Sequence, residues 1–252
     1  MTETDPAYRV SDFAELLCRE PRPLLVAGQA VNLWAMVYAR TSEALVRMQP
    51  FVSRDCDLLG DTETVRRLAS ASGWQPTYSP RGAPSPVVGV LNGYDAHGRT
   101  LTVEVLSSIR GLSAEDLQSN AVVELDGRRY CTLTPVVLLK AKLANVIDFP
   151  QDRAGARRND LVHVKILVPC VAGYLTDAHQ HGIDGILTER GVTNLLERTL
   201  DVVASDNARR VSARYGLGFL ECFPSLLDTS PLAKVRSFVA HRLTRLRGEG
   251  RT

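Results

Sequence analysis

The chain has 252 residues, 44% of them hydrophobic and 23% charged, a composition typical of a globular protein that is long enough to bury a sizeable core. The formal net charge is only +2, so the overall charge does not by itself demand a nucleic-acid partner. Five scattered cysteines, none in a C-x-x-C pair, argue against a zinc site and favour reduced thiols. Since neither a secretory signal nor a window of about 18 apolar residues is visible, we expect a cytoplasmic protein that makes no contact with a membrane.

The first half of the chain alternates between helices and strands. A short helix is predicted to open at Ser11, and a brief buried strand is predicted to end at Gly28, before helical spacing resumes at Gln29. The next strand is predicted at 56–59. The segment after it is predicted to form a helix, with one capping residue at each end, Asp61 at the start and Gly73 at the stop.

Two hairpins and a helical region complete the predicted elements. The first hairpin pairs 87–94 with 99–108, and the second lies in 121–133 with a tight Asp-Gly turn. After Pro135, apolar residues recur at intervals of three and four in the segments 136–147, 157–181, 189–204 and 230–247, which predicts four helices, the second of them kinked at Pro169. The polar segment 150–158 is predicted to be a loop or a mobile connection. These patterns predict an α+β protein with an α/β domain at 1–133 and a helical domain at 134–252.

Two aspartates stand one residue apart at the start of the strand predicted at 56–59. Side chains at i and i+2 of a strand share a face, so Asp55 and Asp57 should point together and repel each other. A divalent cation such as Mg²⁺ would remove that repulsion, because hard cations prefer carboxylate oxygens. The plainer interpretation is a solvated pair at a strand end beside Arg54.

Glu104 interrupts the apolar alternation of a later strand, where it lies between two valines. It is either an ordinary outward-facing residue or a third carboxylate beside the pair. Two carboxylates that hold a metal and a third that accepts the proton of an attacking hydroxyl are what metal-assisted phosphoryl transfer requires. Gly28 stands at a strand-to-helix junction, where backbone can approach a phosphate, and Ser53 has a hydroxyl that can bind a phosphate oxygen.

The order of these features resembles the nucleotidyltransferases of the polymerase-beta type: a strand ending in Gly28 and Gln29, a helix, D-x-D at Asp55 and Asp57, and a later strand carboxylate at Glu104. Within that superfamily the chain is similar to the AbiEii-type nucleotidyltransferases, the toxin half of many type IV toxin-antitoxin systems. The resemblance covers roughly residues 20–170.

The second half of the chain has two segments that are similar to motifs of the same family. LLKAKLANV, with Lys142, is similar to the K-L-x-A helix, and RRNDLVHVKIL is similar to the R-x-K-D-L-x-D-L segment, with Asp160 at its first aspartate. The chain departs from the family at Gln29, where a small residue is usual, and at His163, where the second aspartate is usual. The spacing between Gly28 and Asp55 is also longer than is common in the family.

The resemblance implies a nucleotidyltransferase-like mixed sheet flanked by helices and an enzyme that moves a nucleotidyl group from a nucleoside triphosphate to an acceptor. It implies Mg²⁺ held by the three carboxylates, a base at Glu104 and a triphosphate contact at Lys142, with Asp160 holding Lys142 or orienting the acceptor. It also implies a nucleotide site that comprises Gly28, Gln29, Ser53 and Arg54. The first candidate acceptor is RNA, such as the 3' end of tRNA, and an antitoxin protein is an expected partner. The alternatives are transfer to a small hydroxylated molecule and a non-catalytic relative that binds a nucleotide or a partner.

Overall fold

The structure is a computed structural model, and it describes residues 7–80, 82–95, 97–151 and 158–249. The chain divides into two compact units, Met1–Ala141 and Lys142–Thr252. The division falls inside a helix, α5, which spans Pro135–Asp148, whereas the sequence places a domain boundary just before that helix. Most of the connection predicted at 150–158 lies outside the described residues.

The described part of the first unit is built on one seven-stranded sheet. The strands are β1 Leu24–Val26, β2 Cys56–Leu59, β3 Gln75–Tyr78, β4 Val87–Tyr94, β5 Thr100–Leu106, β6 Asn120–Leu125 and β7 Arg128–Leu133. Their order across the sheet is β3-β4-β5-β2-β1-β7-β6. The pairs β2 with β5 and β1 with β7 are parallel, and the other neighbouring strands are antiparallel.

Four α-helices precede or interrupt the sheet in the described part of the first unit: α1 Ala14–Leu17, after a 3-10 turn at Val10–Phe13, α2 Ala27–Tyr38, α3 Glu43–Val46 and α4 Thr62–Ser72. Helix α2 contacts β1 and β2, and α4 contacts β3 and β4. Alternate residues of β2 and β5 are fully buried, Cys56 and Leu58 in β2 and Val103 and Val105 in β5. The residues between them are only half-buried, so the central strands have one core face and one partly open face.

Local signals account for several of the predicted elements. Asp61 accepts a hydrogen bond from the backbone N–H of Thr64 at the start of α4, and Gly73 ends the helix in the left-handed conformation. Both hairpins form as predicted, and the second turns through Asp126 and Gly127, which have φ of 50° and 74°. The first helix differs, because Ser11 lies inside a 3-10 turn, where Asp12 accepts the Arg9 N–H.

The second unit contains the end of α5 and a series of helices. These are α6 Asp160–Ile183, α7 Glu189–Val203, α8 Asp206–Tyr215, α9 Ala233–Phe238 and α10 Thr244–Glu249, with a π-helical turn at Val239–Leu243 between the last two. Helix α6 continues through Pro169 and is long and apolar enough to cross a membrane by length and composition alone. Half of its most apolar window is buried inside the structure, as in a core helix of a globular unit, so it is weak evidence for a membrane span. The predicted α+β class, with a mixed sheet followed by helices, is confirmed.

Candidate functional site

Asp57 and Glu104 lie side by side on the partly open face of the sheet. They are direct partners in the parallel register of β2 and β5, and both are half-buried. Because register partners point to the same face, their carboxylates project together. Asp55 comes immediately before β2, two residues from Asp57. The structure therefore brings the predicted carboxylates together at the start of β2, beside the second half of β5.

The electrostatics of Glu104 show that the Asp55 charge reaches it. Burial and, second, the negative charge of Asp55 raise the pKa of the Glu104 carboxyl above its usual value. The buried Cys56 thiol, whose side chain points into the core, also has a raised pKa, chiefly because of burial and then because of the Asp57 and Asp55 charges. A carboxyl with a raised pKa is a better proton acceptor at neutral pH than an ordinary one, which suits the role of a base.

Metal binding by these residues is the part of the prediction with least geometric support. Among the described residues, no group of three or more His, Cys, Asp or Glu side chains is placed to hold a metal ion. Mg²⁺ in nucleotide enzymes is commonly bound by one or two carboxylates together with substrate phosphates and water. Asp55 and Asp57 supply that smaller donor set, so the residues present fit Mg²⁺ that arrives with a triphosphate.

The N-terminus of α2 lies next to the carboxylates. Val26, the last residue of β1, pairs with Asp57 in the antiparallel register, and α2 starts at the following residue. Val26, the N-cap residue, has an apolar side chain that makes no capping hydrogen bond. Uncapped first-turn N–H groups and the positive end of the helix dipole favour an anion at this position.

The junction between β1 and α2 differs from the prediction in one respect. The strand ends at Val26 rather than at Gly28, and Gly28 is the second residue of the helix. The residue with a positive φ is Ala27, at 52°. A left-handed alanine is strained, and such strain concentrates at ligand sites, but no sequence pattern marks it because alanine rarely adopts this conformation.

Gln29 and Ser53 are both tied to Tyr8. The fully buried Gln29 side chain donates to the Tyr8 carbonyl oxygen at 3.0 Å and lies 3.4 Å from the Asn32 amide nitrogen. Ser53 exchanges two backbone hydrogen bonds with Tyr8, at 2.8 and 2.9 Å. The Gln29 side chain, which is larger than the residue expected at this position, therefore anchors the segment around Tyr8. The predicted nucleotide contacts at Ser53 and the exposed Arg54 stay predictions.

Lys142 and Asp160 form a buried ion pair in the second unit. The Lys142 ammonium lies 2.9 Å from Asp160 Oδ1, and both side chains are less than a tenth exposed. Asn145 donates to the same oxygen at 3.2 Å, and Arg158 donates to Oδ2 at 2.8 Å. Burial alone would raise the pKa of Asp160, but Lys142 and Arg158 outweigh it and hold the pKa at about 2. Asp160 therefore holds Lys142 in place, one of the two roles predicted for it.

His163 lies beside this pair and is almost fully buried. Burial first, and then the Lys142 charge, lower the pKa of His163 to about 3, so the ring is neutral at physiological pH. Its Nδ1 has no hydrogen-bond partner among the described residues. A neutral imidazole thus replaces the negative charge that the resemblance would place here. Asn145 and Arg158 were not identified as partners of Asp160, since neither an amide on a helix nor an arginine beside an aspartate is a distinctive sequence signal.

Arginines cluster in two parts of the sequence, at 153–158 and at 236–251, and several of the described ones are engaged within the protein. In the C-terminal helices Arg236 donates to the carbonyls of Ser230 and Pro231, Arg242 pairs with Glu197 at 3.2 Å, and Arg247 pairs with Asp228 at 2.9 Å. Of the earlier cluster at 153–158, only Arg158 is described. These arginines give no separate indication of a nucleic-acid surface.

Comparisons with known proteins return distant similarities. No family model matches the chain, and no curated protein matches it. The chain is similar to an antigenic nucleotidyltransferase-like protein from Paracoccidioides brasiliensis, with 15% identity and a TM-score of 0.43 over 65% of this chain and 78% of that one. It is also similar to JHP933 from Helicobacter pylori, with 15% identity and a TM-score of 0.28 over 76% and 97% of the two chains. Both TM-scores are below 0.5, so the site is interpreted from this chain's own residues.

Proposed function

We propose that this chain is a metal-dependent nucleotidyltransferase, which moves a nucleotidyl group from a nucleoside triphosphate to a hydroxyl acceptor. The observation that carries the proposal is the pairing of Asp57 with Glu104 on the partly open face, beside the uncapped start of α2. Three neighbouring strands thus support the proposal. β2 and the residue before it supply carboxylates for a cation, β5 supplies a carboxyl with a raised pKa, and β1 leads into a helix N-terminus that suits a phosphate.

Each group has a defined role in this reaction. Glu104 accepts the proton of the acceptor hydroxyl as its oxygen bonds to the α-phosphorus, and the bond between that phosphorus and the pyrophosphate breaks. The first-turn amides of α2 hold phosphate oxygens, with Ser53 and Arg54 as further contacts. Asp55 and Asp57 would hold Mg²⁺, which neutralises charge on the phosphates when it is bound.

Part of the proposal rests on the family resemblance. An RNA acceptor, such as the 3' end of tRNA, a toxin role and a cognate antitoxin partner are carried by the resemblance to the AbiEii-type proteins. Lys142 is proposed to contact the triphosphate, with Asp160 holding it. The ion pair at 2.9 Å supports the second half of that assignment, because it fixes the position of the ammonium.

The test is nucleotidyl transfer in vitro. The protein is incubated with each α-labelled nucleoside triphosphate, Mg²⁺ and total RNA, and label incorporation into RNA is followed by electrophoresis. Asp57→Asn should lower the rate at least about a hundredfold, because losing a metal-binding carboxylate removes several kcal/mol of transition-state stabilisation. Its thermal stability should equal or exceed that of wild type, since the substitution relieves repulsion between carboxylates.

Glu124→Gln is the matched control, because Glu124 is an exposed strand carboxylate on β6, away from β2 and β5. It should transfer at the wild-type rate. Transfer to small hydroxylated compounds but not to RNA would change the acceptor and keep the class of enzyme. If wild type labels neither kind of acceptor and binds Mg²⁺ no better than Asp57→Asn, the chain is a non-catalytic relative instead.

A further inference from the structure

A cavity of about 490 Å³ lies in the first unit, and its lining does not include Asp55, Asp57 or Glu104. Leu101 of β5 lines it, and Leu101 belongs to the buried face of that strand, whereas Glu104 belongs to the opposite face. The cavity therefore opens on the other side of the sheet, between the start of the chain and the turn of the first hairpin. Its size is within the range of about 300 to 1,000 Å³ that small-molecule sites occupy.

One wall of the cavity is aromatic and fixed in place. Trp74 lines it, and a Cβ at Gly93 would overlap the Trp74 indole ring, so the ring lies flat against the β4 backbone. The next residue, Tyr94, is 72% exposed, and strand alternation turns its side chain to the face opposite Gly93, so Trp74 is the ring that lines this wall. A planar ring held rigidly against a strand offers its free face to a nucleobase, which stacks on it at low entropic cost.

The charges around the cavity divide into a group neutralised by carboxylates and two arginines that are not. Arg99 donates to Asp95 at 2.6 Å and lies 3.4 Å from Asp12, so one guanidinium serves two lining carboxylates. Arg19 and Arg128 also line the cavity; Arg19 donates one hydrogen bond to the Ala71 carbonyl oxygen, but neither arginine pairs with a carboxylate among the described residues. These two arginines come from separate elements, after α1 and at the start of β7, and their guanidinium groups suit a phosphate.

We propose that this cavity binds a 5'-phosphorylated nucleotide, either free or at the end of a single strand. The base stacks on Trp74, while Arg19 and Arg128 bind the phosphate, and the exposed Glu15 carboxylate on the cavity wall accepts hydrogen bonds from sugar hydroxyls. Nothing in this site uses the D-x-D carboxylates or a metal, so it stands whether or not the chain transfers nucleotides.

Intrinsic fluorescence tests this site directly. The chain has two tryptophans, and the other, Trp34, is buried against Tyr38, so a stacked base should quench mainly Trp74. The probes are the four nucleoside 5'-monophosphates, the four nucleosides and a 5'-phosphorylated hexanucleotide, each titrated in EDTA. We expect saturable quenching by the monophosphates and at least about tenfold weaker binding in the Arg19→Gln/Arg128→Gln variant.

Matched variants separate this site from the alternatives. Arg129→Gln removes an exposed arginine adjacent to Arg128 that does not line the cavity, and it should bind as wild type does. Asp57→Asn should also bind as wild type.

The relative affinities of the hexanucleotide and the monophosphates identify the source of the ligand. Tighter binding of the hexanucleotide than of any monophosphate assigns the cavity to a strand end, and equal binding assigns it to a free nucleotide. Nucleosides that bind as well as monophosphates would overturn the proposal. So would the absence of quenching, or an equal loss of affinity in Arg129→Gln and the double arginine variant.

Discussion

Lys140 and Lys142 lie two residues apart in α5, and each has one carboxylate partner. Lys140 pairs with Asp116 at 2.7 Å, but its side chain is 42% exposed. Lys142 pairs with Asp160 at 2.9 Å and is 8% exposed. Water screens the exposed pair much more than the buried one. Although the two ion pairs are nearly equal in length, removing the buried pair should therefore lower the free energy of unfolding several times more than removing the exposed pair.

Replacing each lysine by methionine measures that difference. Lys142→Met should lower the free energy of unfolding by about 3 kcal/mol or more, because it leaves Asp160 buried without its main partner. Lys140→Met should cost about 1 kcal/mol or less. Urea denaturation at pH 7 measures both values, and equal costs would contradict the account.

The same ion pair makes stability depend on pH in a defined window. The pKa of Asp160 is held at about 2 in the folded protein, below the ordinary value of 3.8. Between about pH 2 and pH 4 the unfolded state binds more protons than the folded state. The pair therefore stabilises the fold above about pH 4, and this contribution is lost as pH falls toward 2. Asp160→Asn should be less stable than wild type at pH 7, and denaturation curves recorded below pH 4 should show a smaller difference.

Glu104 should behave in the opposite sense. Burial and the Asp55 charge raise its folded pKa above 4.5, so the folded state binds more protons than the unfolded state between the two values. Stability from this residue is present at low pH and is lost as pH rises through the folded pKa. Glu104→Gln should remove that loss, so it should melt at or above the wild-type temperature at pH 7. Transfer by wild type should rise with pH through the same range, and Glu124→Gln should leave both profiles unchanged.

At the scale of elements, the junction of β1 and α2 combines an uncapped helix start with a strained residue. Ala27 has φ of 52°, a conformation that costs an L-residue about 1 to 2 kcal/mol. Glycine would adopt it without strain, at the smaller expense of a more flexible unfolded chain. The junction thus keeps an alanine where glycine fits better, as strained ligand sites often do.

Two glycine substitutions in α2 test this strain. Ala27→Gly should raise the free energy of unfolding slightly, by about 0.5 kcal/mol. Ala30→Gly, at a buried position with ordinary helical geometry, should lower it by about 1 kcal/mol. A higher melting temperature for Ala27→Gly and a lower one for Ala30→Gly would support the strain at Ala27. A lower melting temperature for both variants would show that Ala27 is relaxed.

Elements with strong local signals could be predicted from the sequence, and elements held by tertiary contacts could not. Helix α4 has both caps in its sequence, and the second hairpin has its Asp-Gly turn. All four residues of strand β3 are exposed, and one of them is a proline, so the strand has no apolar alternation. It forms because its backbone pairs with β4. Helix α8 buries only Ala208 and Val211, too few positions to establish a period.

The candidate site shows the same division. The D-x-D spacing predicted a shared face for Asp55 and Asp57, but the register that places Glu104 beside Asp57 joins strands separated by α4 and the β3–β4 hairpin. Pairing between distant strands is set by global packing, which local spacing does not encode. Gln29 was identified as a departure from a pattern, but its bond to Tyr8 depends on a segment that has no motif of its own.

At the scale of the whole molecule, the five cysteines form two groups. Cys56, Cys170 and Cys222 are fully buried, one in the sheet and two in the helical unit, while Cys18 and Cys131 are half-buried. Burial raises the pKa of all five thiols. The thiols therefore report on the integrity of both units.

Titration with an aromatic disulfide reagent at pH 8 should separate the two groups. At most two thiols should react within minutes in the native protein, and the other three should react only at the rate of unfolding. All five should react at once in guanidinium chloride. Rapid reaction of three or more native thiols would mean that at least one unit opens more readily than its packing indicates.

Tyr8 connects the start of the chain to the strands that hold the carboxylates. Its backbone pairs with Ser53, its carbonyl accepts from Gln29, and its hydroxyl donates to the Thr100 carbonyl at 2.6 Å. One residue thus fastens α2, the approach to β2 and the start of β5. A cut in the backbone just after this tyrosine would therefore release all three at once, since the three contacts share a single residue.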